Sequence, residues 1–303
     1  MTTDASLMLQ AARAAAGQQQ YPAGTLYIVA TPIGNLADIS LRAIHVLSLV
    51  DAVACEDTRH SAPLLRHLGL DKPLLALHEH NEREASVDVL ARLSRGERVA
   101  YISDAGTPAV SDPGAALVAA AQAAGYRTVP LPGASSALAA LSVAGDAVGS
   151  GFAFIGFVPT RAGERAQVLT NLAARHEAQV LFEAPHRIAA LLQGLAEACG
   201  ERPVTLCREL TKQFETVVTL PARQLPAWLA GDANRSRGEF VLVLHARRPA
   251  VADDAGAGHD RVLRTLLAEL PLKQAVSIAA ELTGAARNAL YARALALKTE
   301  AAD

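Results

Sequence analysis

Four short segments of this sequence join glycine or proline to polar side chains, and each follows an apolar run. They are residues 31–35 (TPIGN), 56–60 (EDTRH), 103–114 (SDAGTPAVSDPG) and 132–136 (PGASS). Backbone that glycine opens and proline fixes can present N–H groups to a carboxylate or a phosphate. The side chains of Asp104 and Asp112 can accept hydrogen bonds from ribose hydroxyls or an amino group. One such turn is commonplace, but four of them predict a ligand site.

A second group of polar turns lies in the later half of the chain. Residues 183–187 bring a carboxylate, an imidazole and a guanidinium within five positions, and these groups can orient a substrate or move a proton. Residues 208–212 (RELTK) form another polar turn after an apolar run, and Gly238 and Glu239 open the last such run. Taken alone, residues 183–187 are also explained as a surface ion cluster beside a helix start.

Several familiar site motifs are missing from the sequence. Neither GxGxxG nor GxxxxGK[ST] occurs, which argues against the ordinary dinucleotide fingerprint and the phosphate loop of nucleotide hydrolases. Residues 78–80 (HEH) carry two imidazoles but lack a convincing third ligand, so no metal is predicted. Ser135 follows Gly133 without the closing glycine of a nucleophile turn, and it is better explained as a helix N-cap.

Composition limits the class of protein. A chain of 303 residues with 51% hydrophobic and 19% charged residues is long enough for two domains with large cores. Its net charge of −2 excludes a chain-wide basic surface for nucleic acid. Its 4% of aromatic residues leave few platforms on which single-stranded bases could stack.

Cysteines and apolar stretches bear on the cellular location. Cys55, Cys199 and Cys207 are odd in number and far apart, which argues against a disulfide framework and favours a reducing, cytoplasmic setting. The first residues lack the basic and apolar sequence of a signal peptide. The longest uncharged stretch, residues 128–145, is interrupted by prolines, so no membrane span is expected.

The spacing of apolar runs predicts two α/β domains. Residues 1–23, rich in alanine and glutamine, are expected to form a flexible extension. Residues 24–146 alternate five apolar strands with helices, which is typical of βαβ units and a mainly parallel sheet. Residues 147–246 repeat the alternation, but two strands with little between them indicate a mixed sheet. Residues 247–259 carry the proline and glycine of a linker.

Residues 260–303 are predicted to form a small helical domain. Three short helical patterns are separated by Pro271 and by Gly284, which is the layout of a helix-turn-helix unit. From residue 271 to residue 298 the net charge is +3, so the unit could touch nucleic acid, and a packing role explains it equally well.

Eight motifs, taken in chain order, resemble one family. They are TPIGNLADI, CEDTRH, ISDAGTPAVSDPG, VPLPGAS, GFVP, FEAPHR, RELTK and GEFVLV. This ordered set resembles the ribosomal RNA small subunit methyltransferase I family of the tetrapyrrole methylase superfamily, from residue 24 to residue 298. The resemblance implies two α/β domains, S-adenosylmethionine as methyl donor and a homodimer. It also implies 2′-O-methylation of a cytidine in the decoding region of 16S ribosomal RNA.

The resemblance suggests which residues form the site. The methyl-donor pocket between the domains is expected to contain Ser103, Asp104, Ala105, Gly106, Thr107, Val110, Asp112, Pro132, Gly133, Ser135, Phe157, Thr211, Gly238 and Glu239. The substrate side is expected to contain Thr31, Pro32, Gly34, Asn35, Arg59, Arg187, Lys273, Arg287 and Arg293.

Methyl transfer to a ribose hydroxyl needs a well-placed acceptor oxygen and a group that activates it. The acceptor oxygen must lie in line with the methyl group, and a hydroxyl is a poor nucleophile until a base takes its proton or a cation lies near. Asp57, Glu183 and Lys212 are the candidate catalytic residues. The weak net charge favours the folded 30S subunit over naked RNA as partner. Two alternatives stay open, namely methylation of a small molecule such as a tetrapyrrole, and nucleic-acid binding without catalysis.

Overall fold

The computed structural model describes residues 5–78, 80–149, 151–247 and 253–300. The chain divides into two compact units, Met1–Ala246 and Arg247–Asp303. Within the described residues, the first unit contains two five-stranded sheets and the second contains three helices. The predicted fold class, two α/β layers followed by a small helical unit, is confirmed.

The first sheet is built from five short strands that alternate with helices. The strands are β1 (Thr25–Val29), β2 (Ala52–Cys55), β3 (Leu74–Ala76), β4 (Val99–Ile102) and β5 (Arg127–Leu131). The helices are α1 (Ala5–Ala16), α2 (Leu41–Leu49), α3 (Thr58–His67), α4 (Glu82–Ser94), α5 (Ala115–Ala123) and α6 (Ser136–Ala144). All strand pairs are parallel, in the order β3–β2–β4–β1–β5. Strands β2 and β4 are buried at every position, which explains why their sequences are apolar throughout instead of alternating.

The strand order decides which of the polar turns become neighbours. The carboxyl ends of parallel strands meet at one edge of the sheet, where ligands bind in folds of this class. Along that edge the turns follow β2, β4, β1 and β5 in this spatial order. The segment 103–114 therefore lies between the turns 56–60 and 31–35, although 43 or more residues separate it from either along the chain.

Residues 5–16 form helix α1, so the prediction of a flexible extension over residues 1–23 is wrong for this part. Ala12 and Ala16 are buried, and Met8 and Leu9 pack against the same core as helix α2. These positions recur at helical spacing, but two of the four are alanines, which hardly stand out in an alanine-rich stretch. Packing against α2 supplies the stability that the sequence pattern did not reveal.

The second sheet is mixed, as predicted. Its strands are β6 (Phe152–Phe157), β7 (Ala178–Glu183), β8 (Pro203–Arg208), β9 (Thr216–Pro221) and β10 (Phe240–Leu244), and its helices are α7 (Ala162–Ala174), α8 (Ile188–Cys199) and α9 (Leu225–Ala230). The order is β6–β7–β10–β8–β9, with only β6 and β7 parallel. Because β10 runs antiparallel to both neighbours, its start at Phe240 pairs with Glu183 and with Arg208. The turns 183–187, 208–212 and 238–239 therefore meet at one edge.

Helix α6 connects the two sheets of the first unit. It follows β5 of the first sheet, yet its buried face, Ala137, Ala140 and Ala144, packs on strands of the second sheet. Val241 and Val243 of β10 lie in the same apolar cluster, and Ile33 of the first turn packs against it. Small alanine side chains allow this close approach, and the contact brings the polar edges of the two sheets together.

The second unit is a three-helix bundle formed by α10 (Asp253–Glu269), α11 (Leu272–Thr283) and α12 (Arg287–Glu300). Its core is apolar and draws on all three helices, with Leu263, Val276, Ala279, Leu290, Ala294 and Leu297 buried. Gly284 ends α11 with a φ of 70°, as the predicted turn requires. The predicted linker 247–259 differs from the structure, since α10 begins at Asp253; residues 248–252 lie outside the described residues. No helix among the described residues combines the length and apolarity needed to span a membrane.

Candidate functional site

Two loops cross at the edge of the first sheet and divide the site into two cavities. The backbone N–H of Thr31 donates to the carbonyl of Gly106 at 2.9 Å, and the N–H of Gly106 donates back to Thr31 at 3.1 Å. The Thr31 hydroxyl, which is buried, donates to the carbonyl of Ser103 at 3.2 Å. These bonds fix the turn after β1 against the turn after β4.

The larger cavity, named here the apolar cavity, lies between the two sheets and has a volume of about 360 Å³. Its lining is mainly apolar and aromatic, with two carboxylates: Ile33, Ala105, Ser136, Phe157, Phe182, Glu183, Ala184, Pro185, Leu210, Glu239, Phe240 and Val241. The rings of Phe157 and Phe182 meet edge to face, with centroids 5.8 Å apart. Such a lining suits a flat, partly apolar ligand that carries a few polar groups.

The second cavity, named here the polar cavity, lies on the other side of the crossed loops and has a volume of about 270 Å³. It is lined by Thr31, Pro32, Gly34, Leu36, His60, Ser61, Pro63, Leu64, Ser103 and Asp104. Each loop contributes to both cavities, since Thr31 and Asp104 line the polar one whereas Ile33 and Ala105 line the apolar one. The two cavities are therefore separated by little more than two strands of backbone.

His60 and Asp104 form a hydrogen-bonded pair at the wall of the polar cavity. His60 Nδ1 lies 2.8 Å from Asp104 Oδ2, although 44 residues separate them in sequence. The other oxygen of Asp104 accepts from the backbone N–H of Asp57 at 3.2 Å, so both oxygens of the carboxylate are engaged. The hydrogen bond to Asp104 raises the pKa of His60 above its usual value. His60 lies in the predicted polar turn 56–60, but the sequence assigns it no role of its own, because it does not show that the His60 side chain meets Asp104.

Asp57 is used locally by helix α3. Its Oδ1 caps the helix by accepting from the backbone N–H of Arg59 at 2.8 Å, and both oxygens bind the Arg59 guanidinium at 2.6–3.0 Å. These hydrogen bonds hold the pKa of Asp57 at about 2. Asp57, His60 and Asp104 present possible metal-ligand atoms within 4.8 Å of one another. Since Arg59 already occupies both oxygens of Asp57, a cation would have to displace the guanidinium to bind there.

Glu56 and Asp112 are two further carboxylates at this edge. Burial raises the pKa of Glu56, and the charges of Asp104 and Asp112 raise it further. Burial likewise raises the pKa of Asp112, against a hydrogen bond from Ser103. Glu56, Asp57 and Asp104 also line an open recess with His78. Asp104 and Asp112, both predicted for the methyl-donor pocket, are therefore not among the residues that line the apolar cavity.

Glu183 is a buried carboxylate in the wall of the apolar cavity. Its side chain is 1% exposed, and its Oε1 lies 2.9 Å from Arg187 Nε and 2.9 Å from the backbone N–H of Ala184. Its Oε2 is buried and has no hydrogen-bond partner among the described residues. Arg187 also donates to the carbonyl of Val158, so its guanidinium is held inside the fold. Arg187 was predicted to bind the substrate, and in the structure its guanidinium binds Glu183 and the Val158 carbonyl.

Lys212 connects the second sheet to the first turn. Its Nζ lies 3.0 Å from Glu209 Oε1 and 2.9 Å from Glu239 Oε2. Burial opposes the charged form of Lys212, but the hydrogen bonds to both carboxylates outweigh burial and raise its pKa. Its side chain crosses Gly34, where an added Cβ would lie 2.5 Å from Lys212 Cγ. Lys212 is thus held as a cation beside the crossed loops, which suits stabilisation of negative charge better than removal of a proton.

The turn that carries Lys212 is strained and incompletely hydrogen bonded. Glu209 and Thr211 both have positive φ, at 53° and 66°. The Thr211 hydroxyl is buried and has no partner within the described residues, although its backbone N–H donates to Glu215. Gly238, with a φ of 91°, lies so close to Glu209 that an added Cβ would be 2.5 Å from its carboxyl carbon. Strain of this kind is found where a fold holds groups ready for a ligand.

Several predicted residues, among them Thr107, Gly133 and Ser135, line neither cavity. The Thr107 hydroxyl donates to the carbonyl of Ala134 at 3.1 Å, and Ser135 caps helix α6 as expected. Gly133 is packed against Ala30, where a Cβ would lie 2.8 Å from another Cβ. Asn35 caps a short helical turn through its side chain. Pro132 and Val110 are exposed and also line neither cavity.

In the second unit, the three predicted basic residues have different environments. Lys273 and Arg287 line one recess together with Val276, Ser277, Asn288 and Tyr291. The Arg287 guanidinium donates to the Ser277 hydroxyl at 2.5 Å. Arg293 is paired with Asp260, with its Nε 2.7 Å from Oδ1. Arg293 therefore connects α12 to α10, whereas Lys273 and Arg287 lie at an open surface.

Comparisons with known proteins bear on what this arrangement does. The family model of Tetrapyrrole (Corrin/Porphyrin) Methylases matches residues 25–226, and that of the RsmI C-terminal HTH domain matches residues 252–298. A Pseudomonas aeruginosa protein named Ribosomal RNA small subunit methyltransferase I is 50% identical over 275 residues, which cover 90% of this chain and 97% of the relative. The chain belongs to the ribosomal RNA small subunit methyltransferase I family. The resemblance that the motifs predicted is confirmed.

Other relatives agree with this family membership. An Escherichia coli O157:H7 protein of the same name is 45% identical over 273 residues, which cover 90% of this chain and 95% of the relative. The solved structure of cobalt precorrin-4 methyltransferase, a cobalamin biosynthetic enzyme, has a TM-score of 0.55 and covers 74% of this chain and 98% of its own. At 20% identity it shows a shared fold. The ribosomal RNA small subunit methyltransferase I family therefore builds its site on the fold of the tetrapyrrole methylases.

Proposed function

We propose that this protein transfers a methyl group from S-adenosylmethionine to the ribose 2′-hydroxyl of a cytidine in the decoding region of 16S ribosomal RNA, within the 30S subunit. The observation that carries this proposal is the pair of cavities that abut across residues 31–34 and 103–106. A bisubstrate reaction needs both reactants held next to each other, and two abutting cavities offer one place for each. Relatives named for ribosomal RNA methylation at 44–50% identity support the same conclusion.

The apolar cavity fits the methyl donor. S-adenosylmethionine supplies a methyl group on a cationic sulfur, and it also carries an adenosine and an amino-acid group. Phe157 and Phe182 offer ring faces and edges to an adenine or a sulfonium. The unpartnered Glu183 Oε2 lies in the same wall and can accept a hydrogen bond from an amino group or a ribose hydroxyl. The Glu183 Oε2 atom would be costly to bury if no polar ligand bonded it.

The polar cavity fits the nucleotide acceptor. It opens beside Arg59, whose side chain is 87% exposed. The Arg59 guanidinium can bind a phosphate in place of the Asp57 carboxylate. Lys212 lies behind Gly34 at the boundary between the cavities and supplies a fixed positive charge. Lys273 and Arg287 on the second unit are proposed as additional phosphate contacts on the particle. Few local charges of this kind suit docking on a folded particle better than gripping of free RNA.

We also propose that the protein works as a homodimer. Helix α6 exposes Leu138 and Val143 on the side away from its buried alanines, and Phe152 at the start of β6 is exposed as well. Large apolar side chains that face water in this way are common at subunit interfaces. Light scattering on the purified chain tests this proposal, and a monomer mass at micromolar concentration would contradict it.

The function is tested by incubating the protein with tritiated S-adenosylmethionine and 30S subunits that lack the modification. We expect tritium in 16S ribosomal RNA, and nucleoside analysis should assign it to 2′-O-methylcytidine. Naked 16S RNA and a tetrapyrrole serve as control acceptors, and both should take up much less label. Incorporation into the tetrapyrrole alone, or into no acceptor at all, would contradict the proposed function.

A further inference from the structure

We propose that His60 is the general base that takes the proton of the acceptor hydroxyl and that Asp104 positions it, an assignment that rests on the proposed function. His60 lines the polar cavity together with Ser103 and Asp104. Residues of the same two turns line both cavities, and the proposal places the acceptor ribose where it meets the methyl group at the crossed loops. The motif at residues 56–60 contains His60, but no motif shows that His60 pairs with Asp104 or acts as the base.

The geometry of the pair is that of an oriented base. A carboxylate only accepts hydrogen bonds, so the His60 nitrogen that faces Asp104, Nδ1, carries the proton. The opposite nitrogen, Nε2, then has a free electron pair. Asp104 is itself held by the backbone N–H of Asp57, which fixes the direction of the imidazole. Enzymes that activate hydroxyl groups often use a base that takes the proton of the nucleophile, and a third group orients that base.

The other candidates for the base are less suited, either by their ion pairs or by their location. Both oxygens of Asp57 bind the Arg59 guanidinium, and the pKa of Asp57 at about 2 makes it a weak base. Glu183 is buried in the apolar cavity, away from the acceptor side. Lys212 is held in its charged form by two carboxylates. His60 is 67% exposed, so a substrate can reach its ring directly.

The proposed step is balanced in atoms and charge. Nε2 of His60 takes the proton from the 2′-hydroxyl as the oxygen attacks the methyl carbon. The new bond is carbon–oxygen, and the bond that breaks is carbon–sulfur, whose electron pair stays on sulfur and gives a neutral thioether. His60 leaves the step as an imidazolium paired with Asp104 and returns its proton to water. No oxidant or metal takes part in this sequence.

The charges around His60 set the sign of the pH dependence. Asp57 and Arg59 face it from its own helix, Asp57 Oδ2 at 3.9 Å, and Asp104 faces it from the loop after β4. Asp104 favours the protonated imidazole and raises the pKa of His60. Only the neutral imidazole can accept a proton. The rate of methyl transfer should therefore rise about tenfold per pH unit below this pKa and become constant above it.

The test compares His60→Gln and His60→Ala with the parent and with His67→Gln. His67 is an exposed histidine in the last turn of the same helix and lines neither cavity. Single-turnover rates on 30S subunits are measured at saturating S-adenosylmethionine, from pH 5.5 to 8.5. Calorimetry with S-adenosylhomocysteine confirms that each variant folds and binds.

We expect both His60 variants to lose about 10²- to 10⁴-fold in rate, to lose the pH-dependent limb, and to keep S-adenosylhomocysteine affinity within about twofold of the parent. Added imidazole should restore part of the rate of His60→Ala, and His67→Gln should match the parent. Asp104→Asn should retain a pH-dependent limb, with its midpoint at lower pH.

Two results are kept distinct by this design. If the parent methylates 30S subunits and His60→Gln keeps its rate and its pH limb, the assignment of His60 is overturned while the proposed function stands. If the parent transfers no methyl group to a ribose, the proposed function fails, and the assignment fails with it.

Discussion

Replacing Arg187 with methionine measures how far the buried carboxylate of the apolar cavity depends on its guanidinium. Glu183 is 1% exposed and Arg187 is 19% exposed. Methionine keeps the apolar stem of the side chain and removes the charge and its donors. Breaking a buried ion pair by removing one partner costs about 3–5 kcal/mol. Because the N–H of Ala184 still bonds Glu183 Oε1, we expect the lower end, a loss of about 3 kcal/mol.

The matched control is Arg161→Met. Arg161 pairs with Glu164 at 3.1 Å, but both side chains are largely exposed, at 83% and 57%. Exposed pairs of this kind contribute less than about 1 kcal/mol. Urea unfolding is followed through the fluorescence of Trp228, the only tryptophan, which packs against the second-sheet core that also contains Leu181 and Ile188. The midpoint of Arg187→Met should fall clearly below those of the parent and Arg161→Met.

A double variant separates the ion pair from simple packing. Glu183→Gln combined with Arg187→Met removes both charges, and it should recover most of the stability that Arg187→Met loses. Equal unfolding midpoints for Arg187→Met and Arg161→Met would refute the reasoning, because the carboxylate would then need no guanidinium. The same would follow if the double variant were no more stable than Arg187→Met.

Three further predictions use the same structure. Gly34→Ala places a Cβ 2.5 Å from Lys212 Cγ at a backbone φ of 150°, so the lysine must move and the turn is strained. We expect the single-turnover rate to fall about 10²-fold and the urea midpoint to fall as well, with an unchanged circular dichroism spectrum. Asp146→Asn weakens the acceptor for three backbone N–H groups, of Ala246, Val148 and Gly149. Burial opposes ionisation of Asp146, but these hydrogen bonds lower its pKa. The parent should thus exceed the variant by about 1 kcal/mol at pH 7, and this difference should shrink as the pH falls below about 4; equal stabilities at pH 7 would contradict the expectation. Arg287→Ala should weaken 30S binding at low salt without changing thermal stability, whereas Arg293→Ala should lower the melting temperature of the second unit, since Arg293 binds Asp260; a reversal of these two effects would contradict the assignment.

Much of the fold was predictable because apolar runs are bounded by turn residues. The apolar runs at residues 52–55, 127–131 and 152–157 form β2, β5 and β6. Buried strands of a parallel sheet must be apolar at every position, so they stand out from their polar turns. Helix α1 escaped prediction for the opposite reason, since an alanine-rich stretch shows little contrast between its buried and exposed faces.

The candidate site was predictable as a set of turns, and its division into two cavities was not. The sequence predicts a ligand site from the four polar turns, and the strand order places the ends of β1, β2, β4 and β5 at one edge of the sheet. Asp104 was predicted to line the methyl-donor pocket because the whole segment 103–114 was assigned to that pocket. In the folded chain, Ala105 lines the apolar cavity, whereas Ser103 and Asp104 line the polar one, so one segment serves both cavities.

The sequence by itself determined the alternation of strands and helices, the family and the polar turns that carry chemistry, because these depend on local residue types and their spacing. Only the tertiary structure decided which turns meet. The pairing of β2 with β4 brings His60 to Asp104 across 44 residues, and the antiparallel β10 brings Glu239 to Lys212. Strand order is set by packing over the whole sheet, and no short segment contains the information that fixes it.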